Sequence, residues 1–396
     1  MVLFMHPIPR LFSTHACGIA LVAGCLLQAG PAQVRAAEPK KPVHVLSPSK
    51  AKAKNKAANK DKTQNKASTE QATPTGPAYA GREDARLWTQ DAARRLDLPA
   101  DWLQKQIDQA RRIAVIEKLI MPPATPTAKN WAAYRARFIE AQRIQAGARF
   151  WRTHKATLEK AEREFGVPAA IVVGILGIET LYGQNTGNFR VLDALATLTF
   201  DFPSKHPRAV ERQAFFQAEL EQFLLLTLRS GADPLSVKGS FAGAMGLPQF
   251  MPSSWARYAI DFDGDGRVDL FGSPADVIGS VANYFKAFQW KPGMPTHYPV
   301  ALVPGQTDMD ALMAPDILPT FSVSSFTAKG ARLEGPALNH SGPLALIELR
   351  NGLDAPSYVA GTENFYAITR YNWSSYYAMS VIELAEAVAR EVNNKP

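Results

Sequence analysis

The sequence predicts a mainly α-helical protein carrying a small β insert. Three observations carry this. From residue 82 onward, apolar residues recur at spacings of three and four, the period of an amphipathic helix. The stretch Ala169–Leu181 is apolar nearly all round, as a buried helix must be. After Pro292 short runs of strand length and composition appear, before helix returns at Ala378–Glu391.

The chain has 396 residues, 46% hydrophobic and 20% charged, the balance of a globular protein. At about 100–200 residues per domain, that length predicts two or three lobes. The longest apolar stretch, Ala16–Leu27, is 12 residues. A helix needs about 20 to span a bilayer, so a polytopic membrane protein is excluded. Two cysteines, Cys17 and Cys25, exclude a disulfide scaffold and a thiolate zinc site. Of the formal net charge of +8, residues 1–37 carry +2 and residues 38–78 carry +6, which leaves residues 79–396 neutral. The basic character therefore belongs to a tail. A neutral body weighs against a nucleic-acid partner, and none is predicted.

Residues 1–37 read as a signal peptide: Arg10 without an acid, the apolar run, then small residues Val34 and Ala36 before a cut after Ala36. Soluble export to the periplasm is the favoured reading. The alternative is Val22-Ala23-Gly24-Cys25 as a lipobox that leaves Cys25 acylated; against it, the apolar run continues through Leu26 and Leu27. Both leave no free thiol, as suits an oxidising compartment. Residues 38–80 are Lys-rich, with Tyr79 the only aromatic, and read as a disordered linker. As a flexible coil such a linker spans roughly 35 Å. It serves either as a solvated spacer or as an electrostatic attachment to anionic lipid or cell-wall polymer.

The folded part, residues 81–396, opens with helices over Arg86–Leu96 and Trp102–Glu117, ended by Pro122, Pro123 and Pro126. Trp131–Phe165 reads as a helix pair. Gly166-Val-Pro168 is a stop followed by a start, because Pro suits a first helical turn. Helices follow over Arg190–Leu198 and Arg208–Arg229. The β insert, about 296–370, holds strands at Ala301–Val303, Leu344–Leu349, Ser357–Ala360 and Phe365–Thr369, with Asn351-Gly352 as a turn.

Glu179 is the candidate catalyst. On a helix it shares a face with Val172, Ile175 and Leu176, so its carboxyl leaves an apolar stripe just before Gly183. Desolvation raises the pKa of such a carboxyl, and an acid protonated near neutral pH can donate to a glycosidic oxygen. A structural buried Glu bonded to a partner is the plain alternative. Gly174 and Gly177 are poor helix formers, and close backbone packing accounts for them. The loop Ser240–Gln249 is small and glycine-rich, so a polymer can lie close to its backbone. Asp261-Phe-Asp263-Gly-Asp265-Gly266-Arg267 follows the opening of an EF-hand loop. Its three carboxylates and the Arg267 carbonyl offer oxygens to one hard cation. Position 12 of that pattern is Gly272 rather than the usual Glu.

Several motifs occur in order: Ile178-Glu-Thr-x-Tyr-Gly183, Asp193-Ala-Leu-Ala-Thr-Leu198, Gly239-Ser-Phe-Ala-Gly-Ala-Met-Gly246, Gln249-Phe-Met-Pro-Ser-Ser254, Gly279-Ser-Val-Ala-Asn-Tyr-Phe285 and Ile368-Thr-Arg-Tyr-Asn372. Together they resemble the B-type lytic murein transglycosylases, glycoside hydrolase family 103. The resemblance implies a lysozyme-like catalytic core with flanking helical and small β lobes. It implies cleavage of the MurNAc–GlcNAc β-1,4 bond of peptidoglycan without water, leaving a 1,6-anhydro-MurNAc end. Glu179 matches the single acid/base. Ser240 and Gln249 match cleft residues that orient it and bond N-acetyl groups, although Pro248 stands where the familiar variant has Gly. Tyr134, Tyr284, Tyr371, Tyr377 and Asn372 match further cleft positions. In the family the metal loop closes with an Asp, matched by Asp276 with one extra residue, which implies a structural Ca²⁺ in loop 261–276. Glycan strands are the implied partner. A lipid anchor would add the inner face of the outer membrane, and other cell-wall enzymes are further candidates.

Three rivals stand beside this reading. A lysozyme-type hydrolase would need a second carboxylate, and no motif places one. A non-catalytic peptidoglycan-binding scaffold has no chemical use for the Glu179 motif. A calcium-sensing EF-hand protein would pair two loops, and one is present.

Overall fold

The structure, a computed structural model, describes residues 76–122 and 129–394. The predicted leader over 1–37, Cys17 and Cys25, the linker up to residue 75, and Pro123 and Pro126 lie outside the described residues.

The fold begins inside the stretch whose composition reads as linker. Ala78 pairs with Arg111 in an isolated bridge, and Tyr79 is only 1% exposed. The Tyr79 hydroxyl donates to Asp201 at 2.6 Å, and Arg82 forms an ion pair with the same carboxylate. The linker boundary at residue 80 is therefore corrected: one buried aromatic ring, bonded to the half-buried Asp201, ties residues 76–80 to the fold.

Helices α1 (Glu83–Leu96) and α2 (Ala100–Gln109) pack as a pair, followed by α3 (Ala114–Leu119). The spacing predicts one helix over Trp102–Glu117, but the chain breaks at 110–113. There the Arg111 N–H donates to Asp193 Oδ1 (2.9 Å) and the Ile113 N–H to Thr197 Oγ1 (3.0 Å). Side chains a long way along the sequence have captured donors that a continuous helix would need.

Trp131–Phe165 forms α4 (Trp131–Arg135), α5 (Ala141–Thr153) and α6 (Lys155–Phe165), rather than a pair. Gly166, at φ 70°, closes α6, and Pro168 precedes α7 (Ala169–Thr180). Every residue of α7 except Ala170 and Glu179 is buried. Then come α8 (Val191–Phe200), α9 (Ala209–Ser230), α10 (Pro252–Tyr258) and α11 (Pro274–Ala287). A two-residue ladder of β1 (Phe189–Arg190) and β2 (Lys238–Gly239) ties the two sides of the Glu179 region together.

The insert holds β3 (His297–Pro299), β4 (Ala301–Leu302), α12 (Met309–Met313), α13 (Val323–Ala328), β5 (Ala331–Arg332), β6 (Ala345–Asn351) and β7 (Asp354–Gly361). Strand β7 is central in an antiparallel sheet of order β3-β7-β6, and β4 pairs with β5 separately. The β6–β7 hairpin turns at Gly352, which adopts φ 69°. A small core of its own, including Leu312, Phe326, Leu344 and Leu346, sits under this lobe.

The predicted strand at Phe365–Thr369 is corrected to helix α14 (Glu363–Tyr371). Thr362 caps it, its hydroxyl accepting the Asn364 N–H at 3.1 Å. Asn364, Phe365, Ile368 and Tyr371 are buried at helical spacing, so burial on one helical face overrides the β propensity of the run. Helix α15 (Ser375–Asn394) returns through the molecule against α7 and α5. Gly174 and Gly177 make that contact: a Cβ on Gly174 would lie 2.6 Å from the Val381 carbonyl oxygen, and one on Gly177 would lie 2.7 Å from Leu384. No helix among the described residues is long and apolar enough to cross a membrane.

Candidate active site

Glu179 is the second-last residue of α7 and is half-buried. The helix stops abruptly there. Leu181, Tyr182 and Gly183 all take left-handed backbone, at φ 51°, 57° and 90°. For the two non-glycine residues this costs about 1–2 kcal/mol each. Packing holds the bend in place. The Tyr182 ring stacks on Phe150 at 5.5 Å, and its hydroxyl fills the space over Gly147 and Gly177, where Cβ atoms would lie only 2.3 and 2.5 Å away. Thr180 holds the other side, donating to the Leu247 carbonyl at 2.9 Å and accepting the Gly183 N–H at 3.0 Å. Sequence reasoning placed Thr180 and Tyr182 in a motif but gave neither a role, because the left-handed bend that they hold leaves no local pattern beyond the glycines it packs on.

The Glu179 carboxyl accepts one hydrogen bond, from the Tyr377 hydroxyl at 2.5 Å. Burial pushes its pKa up to about 7, and the Tyr377 bond opposes the rise by favouring the carboxylate. Among the described residues no second carboxylate enters this balance. Burial likewise raises Tyr377 well above the ordinary phenol value, and the Glu179 charge adds to it. The pair thus holds a carboxyl poised between its two forms at neutral pH, beside a phenol that stays protonated.

The tyrosines form a wall behind this carboxyl. Tyr377 stacks on Tyr371 (6.5 Å, 13°), and Tyr371 lies 4.8 Å from Tyr284. The Tyr371 hydroxyl donates to the Pro248 carbonyl and that of Tyr284 to the Arg370 carbonyl, both at 2.6 Å. Their rings are largely buried, so they offer little open face on which a sugar could stack, unlike the expectation for cleft residues. Tyr134 is half-buried, packs on Trp131 and Tyr376, and is close enough to Tyr377 to influence its ionisation. Asn372 caps the C-terminal end of α14 and is half-exposed.

The glycine-rich loop folds back on itself. Ser240 Oγ accepts the N–H groups of Ala242 (3.2 Å) and Ala244 (3.0 Å), and Met245 exchanges two backbone bonds with Phe250. Gln249, at φ 51°, donates from Nε2 to the carbonyls of Thr186 (3.1 Å) and Gly246 (2.8 Å). Ser240 and Gln249 therefore build the loop, and Thr180 fastens it to the end of α7. The close approach explains one glycine outright: a Cβ on Gly187 would lie 2.1 Å from the Gly239 carbonyl oxygen.

In the acidic loop, one carboxylate oxygen from each of Asp261, Asp263 and Asp276 lies within 4.8 Å of the others. Asp265 lies outside this group and accepts the Arg267 N–H at 2.8 Å. Asp276 is 1% exposed and accepts the N–H groups of Phe262 and Asp269, both at 2.7 Å. Among the described residues no Lys or Arg pairs with any of the three. Three carboxylates gathered without a cationic side chain are the donor set of a hard, oxygen-seeking cation. With Ca²⁺ bound, Asp261, Asp263 and Asp276 would hold it and it would pin the loop to the start of α11.

A helical body that presents one neutral-range carboxyl against a tyrosine wall belongs to the lysozyme-like class. Residues 81–386 match the family model described as "Transglycosylase SLT domain", and the chain belongs to that family. It is 38% identical over 331 residues to "Membrane-bound lytic murein transglycosylase B" of Escherichia coli (strain K12), covering 79% of this chain and 85% of that protein. Soluble lytic transglycosylase SltB1 from Pseudomonas aeruginosa superposes with TM-score 0.70 at 40% identity, over 78% of this chain and 99% of that one. The Escherichia coli lytic transglycosylase Slt35 in complex with calcium gives TM-score 0.68 at 37% identity, over 80% and 96%. Pseudomonas aeruginosa SltB3 in complex with NAG-anhNAM-pentapeptide gives 0.65 at 27% identity, over 79% and 80%.

Proposed function

We propose that this chain is a peptidoglycan lytic transglycosylase. It cleaves the MurNAc–GlcNAc β-1,4 bond and leaves a 1,6-anhydro-MurNAc end. The observation that carries the reading is the state of Glu179: a desolvated carboxyl at a pKa of about 7, touched by one phenol and, among the described residues, influenced by no second carboxylate.

The chemistry follows from that count. A retaining or inverting glycosidase uses two carboxyl groups across the scissile bond. One carboxyl is enough when the nucleophile belongs to the substrate. Protonated Glu179 gives its proton to the glycosidic oxygen as the C1–O bond breaks. The resulting carboxylate then takes the proton of the C6 hydroxyl as that oxygen attacks C1. Attack within one sugar ring gains the large effective molarity of an intramolecular step. Tyr377 donates to the carboxyl oxygen that does not carry the proton, which fixes the orientation of the acid. Ser240, Gln249, Tyr134, Tyr284, Tyr371 and Asn372 shape the walls along which the glycan lies. The "NAG-anhNAM-pentapeptide" of the SltB3 structure and the murein named for the E. coli relative support this substrate class.

The calcium named for the Slt35 structure supports a structural Ca²⁺ on Asp261, Asp263 and Asp276, with Asp265 and the Arg267 carbonyl joining only if the loop closes further. Export to the periplasm by the leader over 1–37, with soluble release favoured over an anchor on Cys25, remains part of the proposal, as does the spacer over 38–75. Digestion of purified sacculi with the mature protein, followed by mass analysis of the sugar ends, tests the function. Anhydro ends are expected; reducing ends would make it a hydrolase, and no products a scaffold.

A further inference from the structure

One face of α5 holds the end of the helix that carries Glu179. Arg143, Gly147 and Phe150 follow one another at spacings of four and three and so line up on that face. Gly147 makes room for the Tyr182 hydroxyl, and Phe150 stacks on the Tyr182 ring. Arg143 meets α7 itself. Its guanidinium donates from Nη1 to the Gly177 carbonyl, two residues before Glu179. That carbonyl is weakly served by its own helix. The Leu181 N–H reaches it at 3.3 Å, longer than an ordinary hydrogen bond, because the chain has already turned left-handed at Leu181.

Burial makes this an unfavourable place for a charge. The Arg143 side chain is 15% exposed, and desolvation lowers its pKa. Glu140 stands 3.7 Å from Nε, but its carboxylate already caps α5 by accepting the N–H groups of Gln142 and Arg143. Among the described residues Arg143 Nε has no hydrogen-bond partner. Phe138 packs against the guanidinium, 5.3 Å from ring centre to Cζ. A methionine would fill such a space without desolvating a charge. What the arginine adds is a charged donor at the negative end of a helix. Its charge does not set the state of the carboxyl: among the described residues, burial and the Tyr377 bond are the influences on Glu179. We propose that Arg143 is a positioning residue for Glu179: by holding the Gly177 carbonyl it fixes the last turn of α7, and with it the place of the carboxyl against the bond to be cut. The inference rests on the transglycosylase reading above and deepens it, since Arg143 acts through the backbone of α7.

The test follows anhydro-end release from soluble glycan strands. A misplacement of 1 Å lowers a rate by about 10²-fold, so Arg143→Met is expected to lower kcat by about 10- to 100-fold. KM and the midpoint of the pH–rate profile are expected to stay. Wild-type kcat in the folded variant overturns the proposal; so does a moved midpoint, because the charge would then act on the carboxyl directly. Arg143→Lys keeps a charged donor but loses the fork, so its kcat is expected to lie between the two; a value no better than that of Arg143→Met overturns the bond to Gly177. Should Arg143→Met fail to fold, Arg143→Lys carries the test alone: a several-fold lower kcat at unchanged KM is expected, and wild-type kcat overturns the proposal. Leu312→Ala, in the core of the β insert, separates stability from positioning. It is expected to lower the denaturation midpoint with kcat kept; a kcat loss equal to that of Arg143→Met overturns the positioning role. A wild-type protein that releases no anhydro ends removes the parent reading and this one with it, whereas an active wild type matched by Arg143→Met removes this one alone.

Discussion

Replacing Glu179 with Gln keeps the size and shape of the side chain and still lets Tyr377 donate to its oxygen, so the fold should stay intact. Activity should not. General acid–base catalysis is worth about 10²–10⁴-fold, and here one group serves both transfers, so a loss near the upper end is expected. The substitution also has a stability signature. The Glu179 pKa is raised from 4.5 to about 7 by burial. Between those values the native state holds a proton that the unfolded chain has released, so wild-type stability falls as pH rises through this window and levels off above it. At about 1.4 kcal/mol per unit, the fall is at most about 3 kcal/mol. Gln does not titrate. The variant should therefore match wild type near pH 4 and be more stable by about 2–3 kcal/mol near pH 8. Product analysis on sacculi and urea melts at the two pH values measure both effects. Anhydro-muropeptide release above about a tenth of the wild-type rate from a folded variant would remove Glu179 as the catalyst, since that lies outside the expected range. A stability difference that does not change with pH would refute the desolvated acid.

Tyr377→Phe removes the one bond that lowers the Glu179 pKa, so the alkaline fall of the pH–rate profile should move to higher pH; a profile that keeps its midpoint contradicts the pairing. A cation bound only by the native state adds about 2.7 kcal/mol at a hundredfold over its Kd. Calcium should accordingly raise the melting temperature, and Asp261→Ala and Asp263→Ala should each abolish the response; identical melting in chelator and in millimolar Ca²⁺ refutes the site. Gly174→Ala would place its Cβ 2.6 Å from the Val381 carbonyl oxygen and should destabilise the protein. Overpacking of this kind costs about 1–3 kcal/mol, read as a shifted denaturation midpoint.

The sequence carried the central helix legibly, because Ala169–Leu181 is apolar on every face and Glu179 breaks that pattern. Gly174 and Gly177 were readable for the same reason: they are poor helix formers in a helix, and α15 lies against them. Asp261 and Asp263 declared their loop through spacing. What stayed hidden depends on distant partners. The break at 110–113 is made by Asp193 and Thr197, about 80 residues away. The helix at Phe365–Thr369 reads locally as strand and is decided by burial. Tyr79 sits in a polar tail, and only Asp201 reveals why it is held. The burial of Tyr284, Tyr371 and Tyr377 was equally invisible, since a tyrosine that walls a cleft and one that faces it are the same letter.

The hydroxyls of that wall each grip a different part of the chain. Tyr371 holds the Pro248 carbonyl, Tyr284 the Arg370 carbonyl, Tyr376 the Arg350 carbonyl at 2.9 Å, and Tyr377 the Glu179 carboxyl. Tyr284, Tyr371 and Tyr377 are buried and pack ring against ring, Tyr376 packs on Trp131 and Tyr134, and each hydroxyl is bonded, so these side chains have little freedom left to lose. Ordering a free side chain on association costs about 0.5–1.5 kcal/mol. For this wall that ordering took place during folding, far from any substrate. A polymer arriving there meets struts already set, so these rings add no ordering cost of their own and that cost falls on its flexible sugars.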